Sequence, residues 1–442
     1  MFQIITRLKN IYYKLPYLIY DLRYSVSTKT FPIILYCLYF ILKVPAPSLA
    51  YKLLLMSCRA NFNQTAIQTI KKNIDKIPND AQIGALKLRE SEVNLTLGRT
   101  IILKAPNIKD NGSLSKGIIL IKFTESFTPF IKIFNVPKLQ SKYILILEPS
   151  WSGYALESIL AWSSFENPIY IEAAESKDYD FVKEMACNLV PIRCGSGDWV
   201  DYRVFNELMT PKIYNCVYVA NYTPIKRIHS YLEAIYKFSK KHPNSKFALV
   251  CSKWGSLRKN VHGLIKTYNI TQNIDVFENL SHIDLNKVLS QSKANILLSL
   301  REGSNRSLFE SMFTNIPAII LDQNIGVNKE NFVSESGIVI SEQNLTEAFE
   351  EVKTNWASFK AREWALKNIA PEVTLDKIIR VIEKNEHIHV EKSQLRYKVN
   401  SPEANYMYKK GQISEEHNNE FYSYLNEPYR HIISQNPPYK GK

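Results

Sequence analysis

REGSNRSLFESM, residues 301–312, is the stretch whose reading decides the fold. It follows the apolar run NILLSL (295–300) and precedes FTNIPAIIL (313–321). That is the pattern of a strand, a turn, a helix and the next strand, with two carboxylates, Glu302 and Glu310, set around the turn. Ligands of open α/β sheets bind outside the carboxyl ends of the strands. Gly303 permits an unusual backbone turn there, and Ser304 or Asn305 can cap the helix that follows. The N–H groups of residues 305–307 then stand at the positive end of a helix dipole, a place suited to phosphate. Glu310 lies about six residues into the predicted helix, hence about 9 Å along its axis. Carboxylates so spaced bracket a diphosphate and can accept hydrogen bonds from hydroxyls on its two sides. A sugar nucleotide has that layout.

Outward from this point the pattern repeats. Strands are expected at 215–220, 246–251, 274–278, 295–300, 317–321 and 337–341, with helices between them and at 345–354, 358–369 and 372–384. A first alternation precedes it, with strands at 99–105, 117–123, 142–148, 168–173 and 188–193 and helices at 153–164 and 176–186. Short apolar strands alternating with helices predict βαβ units and parallel sheets. The boundary is expected at 203–214, where MTPK breaks the pattern. This gives a segment 1–98, one domain at 99–205, a second at 214–385 and a polar tail at 386–442.

The chain has 442 residues and a formal charge of +14, and the excess is uneven: residues 1–72 hold ten Lys or Arg against one acid, Asp21. That end favours anionic surfaces. Its first 24 residues mix charge into their apolar stretch and lack the form of a secretory signal. The most apolar segment, 31–47, has twelve residues between Pro32 and Pro45, where a spanning helix needs roughly 20. It reads as a buried helix or as one lying at a membrane surface. Six cysteines form no CxxC pair and the histidines form no ligand-like cluster, which disfavours a disulfide framework or a structural zinc site. No GxGxxG or GxxxxGK[ST] sequence is present, so dinucleotide and P-loop readings lack support. The DYD at 178–180 opens a predicted helix, where acids complement the dipole rather than hold a metal.

EGSNRSLFESMFTNIPAII resembles the E-G-x-G-x-x-x-x-E-A-M-A-x-G-x-P-V-I pattern of the retaining GT-B glycosyltransferases called group 1 or family 4, with Glu302, Gly303, Glu310, Met312 and Pro317 in register. NCVYVANYTPIKRIHSYLEAI resembles their V-G-R-x…K-G-x-x-x-L-x-E-A segment and sets Lys226 on the phosphate-binding lysine. The likeness covers about residues 214–385. It implies a GT-B fold: two Rossmann-like doubly wound domains facing a cleft, here with a helical N-terminal extension and a polar C-terminal tail. It implies transfer of a sugar from a nucleotide-sugar donor with retention of configuration, with no cofactor and no required metal. Glu302 would contact donor-sugar hydroxyls and Glu310 the ribose. Lys226 and the 303–307 backbone (Gly303, Ser304, Asn305, Arg306, Ser307) would hold the diphosphate.

Two departures stand out. The family's arginine after its first C-domain strand aligns with Asn221, leaving Arg227 or Arg306 to supply the cation. Its second motif glycine is Asn305, a residue that tolerates left-handed backbone. Residues 1–228 contain no histidine, so the first domain's side of the chemistry falls to Glu125, Trp151 or Asp198, each of which also reads as a cap, turn or core residue. The expected acceptor is a glycan or lipid-linked glycan of cell-surface polysaccharide synthesis. The scattered cysteines read as reduced thiols of a cytoplasmic protein, and the basic N-terminus suggests peripheral membrane contact through residues 1–72. Two alternatives remain open: a GT-B sugar-nucleotide epimerase, and a non-enzymatic basic protein binding membrane or, less favoured, nucleic acid.

Overall fold

The computed structural model describes residues 2–61, 63–76, 86–108, 110, 112–303, 305–392, 395, 398 and 423–430. The chain divides into two compact units, one of residues 1–27 and 197–374, the other of residues 28–196 and 375–442. This partition differs from the sequence expectation at three places. The start of the N-terminal segment belongs with the second domain, the boundary falls at 196/197, and the last helix is shared between units.

Helix α1 (Phe2–Lys29) leads the chain. The 28–196 unit then opens with α2 (Phe31–Leu42), α3 (Pro47–Ala60), α4 (Gln64–Lys71) and α5 (Glu90–Gly98). Prolines at the first turns of α2 and α3 suit their missing N–H, and Asn63 caps α4 by accepting from the Thr65 N–H. Strand β1 (Thr100–Lys104) is followed by a short hairpin, β2 (Asn107–Ile108) and β3 (Leu114–Ser115). Then come β4 (Gly117–Lys122), α6 (Phe127–Ile133), α7 (Val136–Gln140), β5 (Tyr143–Glu148), α8 (Glu157–Leu160), β6 (Ile169–Glu172), α9 (Ser176–Met185) and β7 (Leu189–Ile192). The sheet order is β1-β4-β5-β6-β7. All its pairs are parallel except β1 with β4, so one edge departs from the expected all-parallel sheet. Every residue of β4 and β5 is buried, as expected of central strands covered on both faces. The helix expected at 153–164 shrinks to α8 and a 3₁₀ turn, Ala161–Ser164.

The other unit carries β8 (Val217–Asn221), α10 (Ile228–Ser239), β9 (Phe247–Ser252), α11 (Arg258–Thr267), β10 (Ile274–Glu278), α12 (His282–Ser290), β11 (Asn295–Leu297), α13 (Arg306–Phe313), β12 (Ala318–Leu321), β13 (Gly337–Ile340), α14 (Leu345–Asn355) and α15 (Ala361–Asn368). Helix α16 (Pro371–Glu386) closes the alternation, with residues to Thr374 in this unit and the rest in the other. The sheet is wholly parallel in the order β10-β9-β8-β11-β12-β13. The chain runs outward from β8 to β10 and then restarts on β8's other side with β11, so the order reverses between β8 and β11. That reversal is where ligands of such sheets bind.

Two expectations change here. Residues 423–430 are not simply a polar tail: Tyr424, Leu425 and Tyr429 enter the 28–196 unit's core, and Leu425 bridges Phe134. The segment 31–47, read as a buried helix or as one at a membrane surface, holds a half-buried helix: Pro32, Leu35 and Tyr39 of α2 are buried while Ile33, Ile34, Phe40 and Ile41 are exposed.

Candidate active site

At the switch point a cavity of about 410 Å³ opens among the carboxyl ends of β8, β9, β10 and β11. Its wall includes Lys226, Glu302, Asn305, Arg306, Ser307 and Glu310, so one concave space gathers most of the motif. Gly303 lies in the turn between Glu302 and Asn305. Ser304, also expected there, falls outside the described residues.

Glu302 leaves the end of β11 buried, at 8% exposure. Its backbone N–H donates to the Ile325 carbonyl at 2.9 Å, which ties the turn to the next loop. Its Oε1 accepts from Ser299 Oγ at 2.5 Å and from Lys226 Nζ. Lys226 ends the 3₁₀ turn Pro224–Lys226 after β8, and the Tyr218 hydroxyl donates to its carbonyl. Two loops far apart in sequence thus bring a cation and a carboxylate to the same wall.

Glu310 sits in the second turn of α13 at 4% exposure, with Arg306 Nε 3.1 Å from its Oε1. Burial pushes the Glu310 carboxyl above its ordinary range, and Arg306, one helical turn earlier, offsets part of that rise. Asn305 caps the helix, its Oδ1 accepting from the Leu308 N–H at 3.2 Å and from Ser307 Oγ at 2.8 Å. Its φ of −76° is an ordinary extended value, so asparagine stands here as a cap and not for left-handed freedom.

The structure separates the two candidate replacements for the arginine missing at Asn221. Arg306 lines the cavity with almost half its side chain exposed. Arg227, also expected to bind the nucleotide, is not among the residues lining it. Its guanidinium is buried and forked onto Asp21 of α1 (Nε–Oδ1 2.8 Å, Nη2–Oδ2 2.9 Å), with Glu342 3.0 Å away. Burial pushes the Asp21 carboxyl up, but hydrogen bonds from His229 and Arg227 outweigh it and hold the group below its usual range. Arg227 has φ 48°, a left-handed value uncommon for a non-glycine residue. It directly follows Lys226, so the Asp21 fork holds the backbone beside the cavity's lysine.

His282, Asn279 and Ser252 also line the cavity. Sequence reasoning did not single out these three residues. Burial lowers the His282 pKa, and Arg306 adds to that. Asn279 is left-handed (φ 52°) and its Oδ1 accepts from the Lys253 N–H at 2.9 Å, joining the loops after β9 and β10.

The other candidates are not among the residues that line this cavity. Glu125 follows β4 and Trp151 follows β5; Glu125 meets Arg99 and Ser150 Oγ at 3.2 Å each, and Trp151 is 47% exposed. Asp198 is buried in the 3₁₀ turn Ser196–Trp199, beside a fully buried Trp199. Asp178 of the DYD sequence accepts from the N–H groups of Gly153 and Tyr154 at 2.9–3.0 Å, a loop-fastening role.

No curated protein matches the chain. Among solved structures it is similar to TarM (18% identity, TM-score 0.48, 62% of this chain and 63% of that one). It is also similar to the pneumococcal O-GlcNAc transferase GtfA in complex with UDP and GlcNAc (13% identity, TM-score 0.43, 57% of this chain and 55% of that one). A third is the sucrose-phosphate synthase of Thermosynechococcus elongatus (14% identity, TM-score 0.48, 61% and 74%). The chain thus spans less than two thirds of the length of the first two. Residues 206–368, which supply the whole cavity wall described above, match the model of the family described as glycosyl transferases group 1.

Proposed function

We propose that the protein is a GT-B glycosyltransferase that moves a sugar from a nucleotide-sugar donor to a glycan or lipid-linked acceptor with retention of configuration. Its place would be the cytoplasm, in cell-surface polysaccharide synthesis, a setting that the basic N-terminal residues support. The observation that carries the donor reading is the cavity at the β8/β11 reversal, with a Lys226–Glu302 pair joining the loops after β8 and β11 and an Arg306–Glu310 pair on the helix beside them.

In this reading the diphosphate lies at the start of α13, where the helix dipole, Arg306 and Lys226 meet its charge. As the bond between the anomeric carbon and the phosphate oxygen breaks, its electron pair stays on that oxygen. Cations fixed in advance stabilise the charge that develops. Glu302, held by Ser299 and Lys226, keeps lone pairs for donor-sugar hydroxyls. Glu310 accepts from the ribose hydroxyls, which replace the hydration its burial removes. The reading requires no metal.

A thermal-shift screen with UDP, GDP, ADP, CMP and their common sugars, with and without EDTA, tests it. A ligand of the native state raises the melting temperature through its own binding free energy. The expected result is a shift with one base, indifferent to EDTA and lost in Glu310→Ala. No shift with any nucleotide, or one that survives Glu310→Ala unchanged, would overturn the donor-site assignment.

A further inference from the structure

We propose that the outer face of α1 is the surface by which this protein lies on an anionic lipid bilayer. This inference concerns a surface outside the donor cavity and stands without the transfer reaction.

Leu8, Ile11, Tyr12, Leu15, Leu18, Ile19, Leu22 and Val26 of α1 are each more than 40% exposed. At about 100° per residue they fall within an arc of about 120°, a continuous apolar stripe down the helix. An exposed apolar surface of this extent marks a contact with membrane or protein.

The opposite face of α1 is fastened down. Tyr17 is fully buried and stacks on His229 at 4.6 Å between ring centroids. Lys14 reaches Glu233 at 2.5 Å, Asp21 forks onto Arg227, and Asn10 accepts from the Tyr268 hydroxyl at 3.1 Å. Tyr13 packs where a Cβ on Gly263 would come within 2.4 Å of its ring. The helix cannot roll to hide its stripe without breaking these contacts.

Charge selects the occupant. Asp21, the one acid of residues 1–72, is spent on the inner face, while Arg7, Lys9, Arg23 and Lys29 are exposed beside the stripe or at its end. A second copy would set these cations against their own kind, whereas acidic headgroups would neutralise them. The stripe also leads into a basic groove of about 750 Å³ lined by Tyr13, Arg258, Lys259, His262 and Lys266. The link is the edge contact of Tyr12, in the stripe, with Tyr13, in the groove, at 5.1 Å. Lys259 and Lys266 are exposed there, placed to meet lipid phosphates while the stripe enters the acyl boundary. Among the described residues no single helix is long and apolar enough to cross a membrane.

The test is co-sedimentation of the full chain with vesicles of phosphatidylcholine alone and of phosphatidylcholine mixed with phosphatidylglycerol, at low and physiological salt. Wild type should prefer the mixed vesicles by about tenfold or more, less so as salt rises. Leu15→Glu/Leu18→Glu/Leu22→Glu should lose about tenfold or more of that partition, and Lys259→Glu/Lys266→Glu a smaller part. These side chains are exposed, so both variants should keep the wild-type melting temperature, measured in parallel. Failure of wild type to sediment with the mixed vesicles would overturn the proposal. So would undiminished binding by the leucine variant, or release by low inorganic phosphate, which would make the groove a free-phosphate site. Self-association that the leucine variant abolishes, without vesicle binding, would assign the stripe to a second copy instead.

Discussion

The carboxyl ends of the two sheets treat their polar side chains differently. In the 28–196 unit, polar groups after the strands fasten loops to one another. Ser150 N–H donates to Thr124 Oγ1 at 3.1 Å, Asp178 accepts from two loop N–H groups, and the buried Glu148 is ion-paired with the buried Lys398. In the 197–374 unit the corresponding strand ends line an open cavity, with two carboxylates and two cations on its wall. A buried carboxylate at a strand end is therefore not a site by virtue of its burial. It becomes one where the strand order reverses and the side chain keeps capacity that neighbours do not use. Each prediction below tests this division.

The largest effect is expected at Lys226. In the proposed reaction Lys226 faces the leaving diphosphate, so Lys226→Ala should lower turnover by about 10²–10³, by analogy with the loss of one fixed donor. The fold should persist, because Lys226 lies on a short turn at the cavity wall. Turnover within a few-fold of wild type would remove the chemical half of the comparison.

Next is Asp21→Ala, which strips the fork from a buried Arg227. Removing one partner of a buried pair typically costs about 3–5 kcal/mol. Glu342 still faces the guanidinium, so about 2–3 kcal/mol is expected here. For a unit of this size that is a drop of about 5–10 °C in melting temperature. If the fork also positions Lys226, nucleotide affinity should fall with it. An unchanged melting temperature would mean α1 is only laid against the unit.

Much of this was legible before any coordinates. The 3.6- and 2-residue periodicities placed the long strands of both sheets and the helices from α9 onward, but not α1, α5, α6, α7 or the β2–β3 hairpin, and the motif from Glu302 to Glu310 lies on the cavity wall. What sequence did not give were pairings between distant residues. Asp21 and Arg227 are 206 positions apart, and neither has a local pattern that announces the other. With that pairing hidden, Arg227 reads as a free cation beside Lys226. The unit to which residues 1–27 belong is hidden for the same reason: their inner face is recognisable only once α10 and α11 supply His229, Glu233 and Gly263. Of the two parts open to Asn305 in the sequence, helix cap or left-handed turn residue, the structure shows the cap, its Oδ1 accepting from the Leu308 N–H.

Glu310 should act on affinity more than on fold. Glu310→Ala loses charge-assisted hydrogen bonds to hydroxyls, about 1.5–3 kcal/mol, or about 10- to 100-fold in nucleotide affinity. Its pH dependence has a definite sign. Burial raises its folded-state pKa, so the native protein holds the proton more tightly than the unfolded chain. Below the unfolded pKa the group costs nothing. As pH rises through the folded pKa, its charge opposes folding in the empty site. Nucleotide binding follows the reverse course: affinity should fall on acidification through that raised pKa, and Glu310→Gln should flatten the profile. An equally steep profile in Glu310→Gln would place the titrating group elsewhere.

The smallest effect is expected at Glu125, and it tests the other side of the division. Its carboxylate is more than half exposed and pairs with Arg99 at 3.2 Å, a surface ion pair of about 0–1 kcal/mol. If strand ends in the 28–196 unit only fasten loops, Glu125→Ala should change the melting temperature little and turnover little. A fall in kcat of tenfold or more at constant stability would show this carboxylate acting on the reaction. The contrast between the sheets would then be one of role, donor side against acceptor side, and no longer one of site against scaffold.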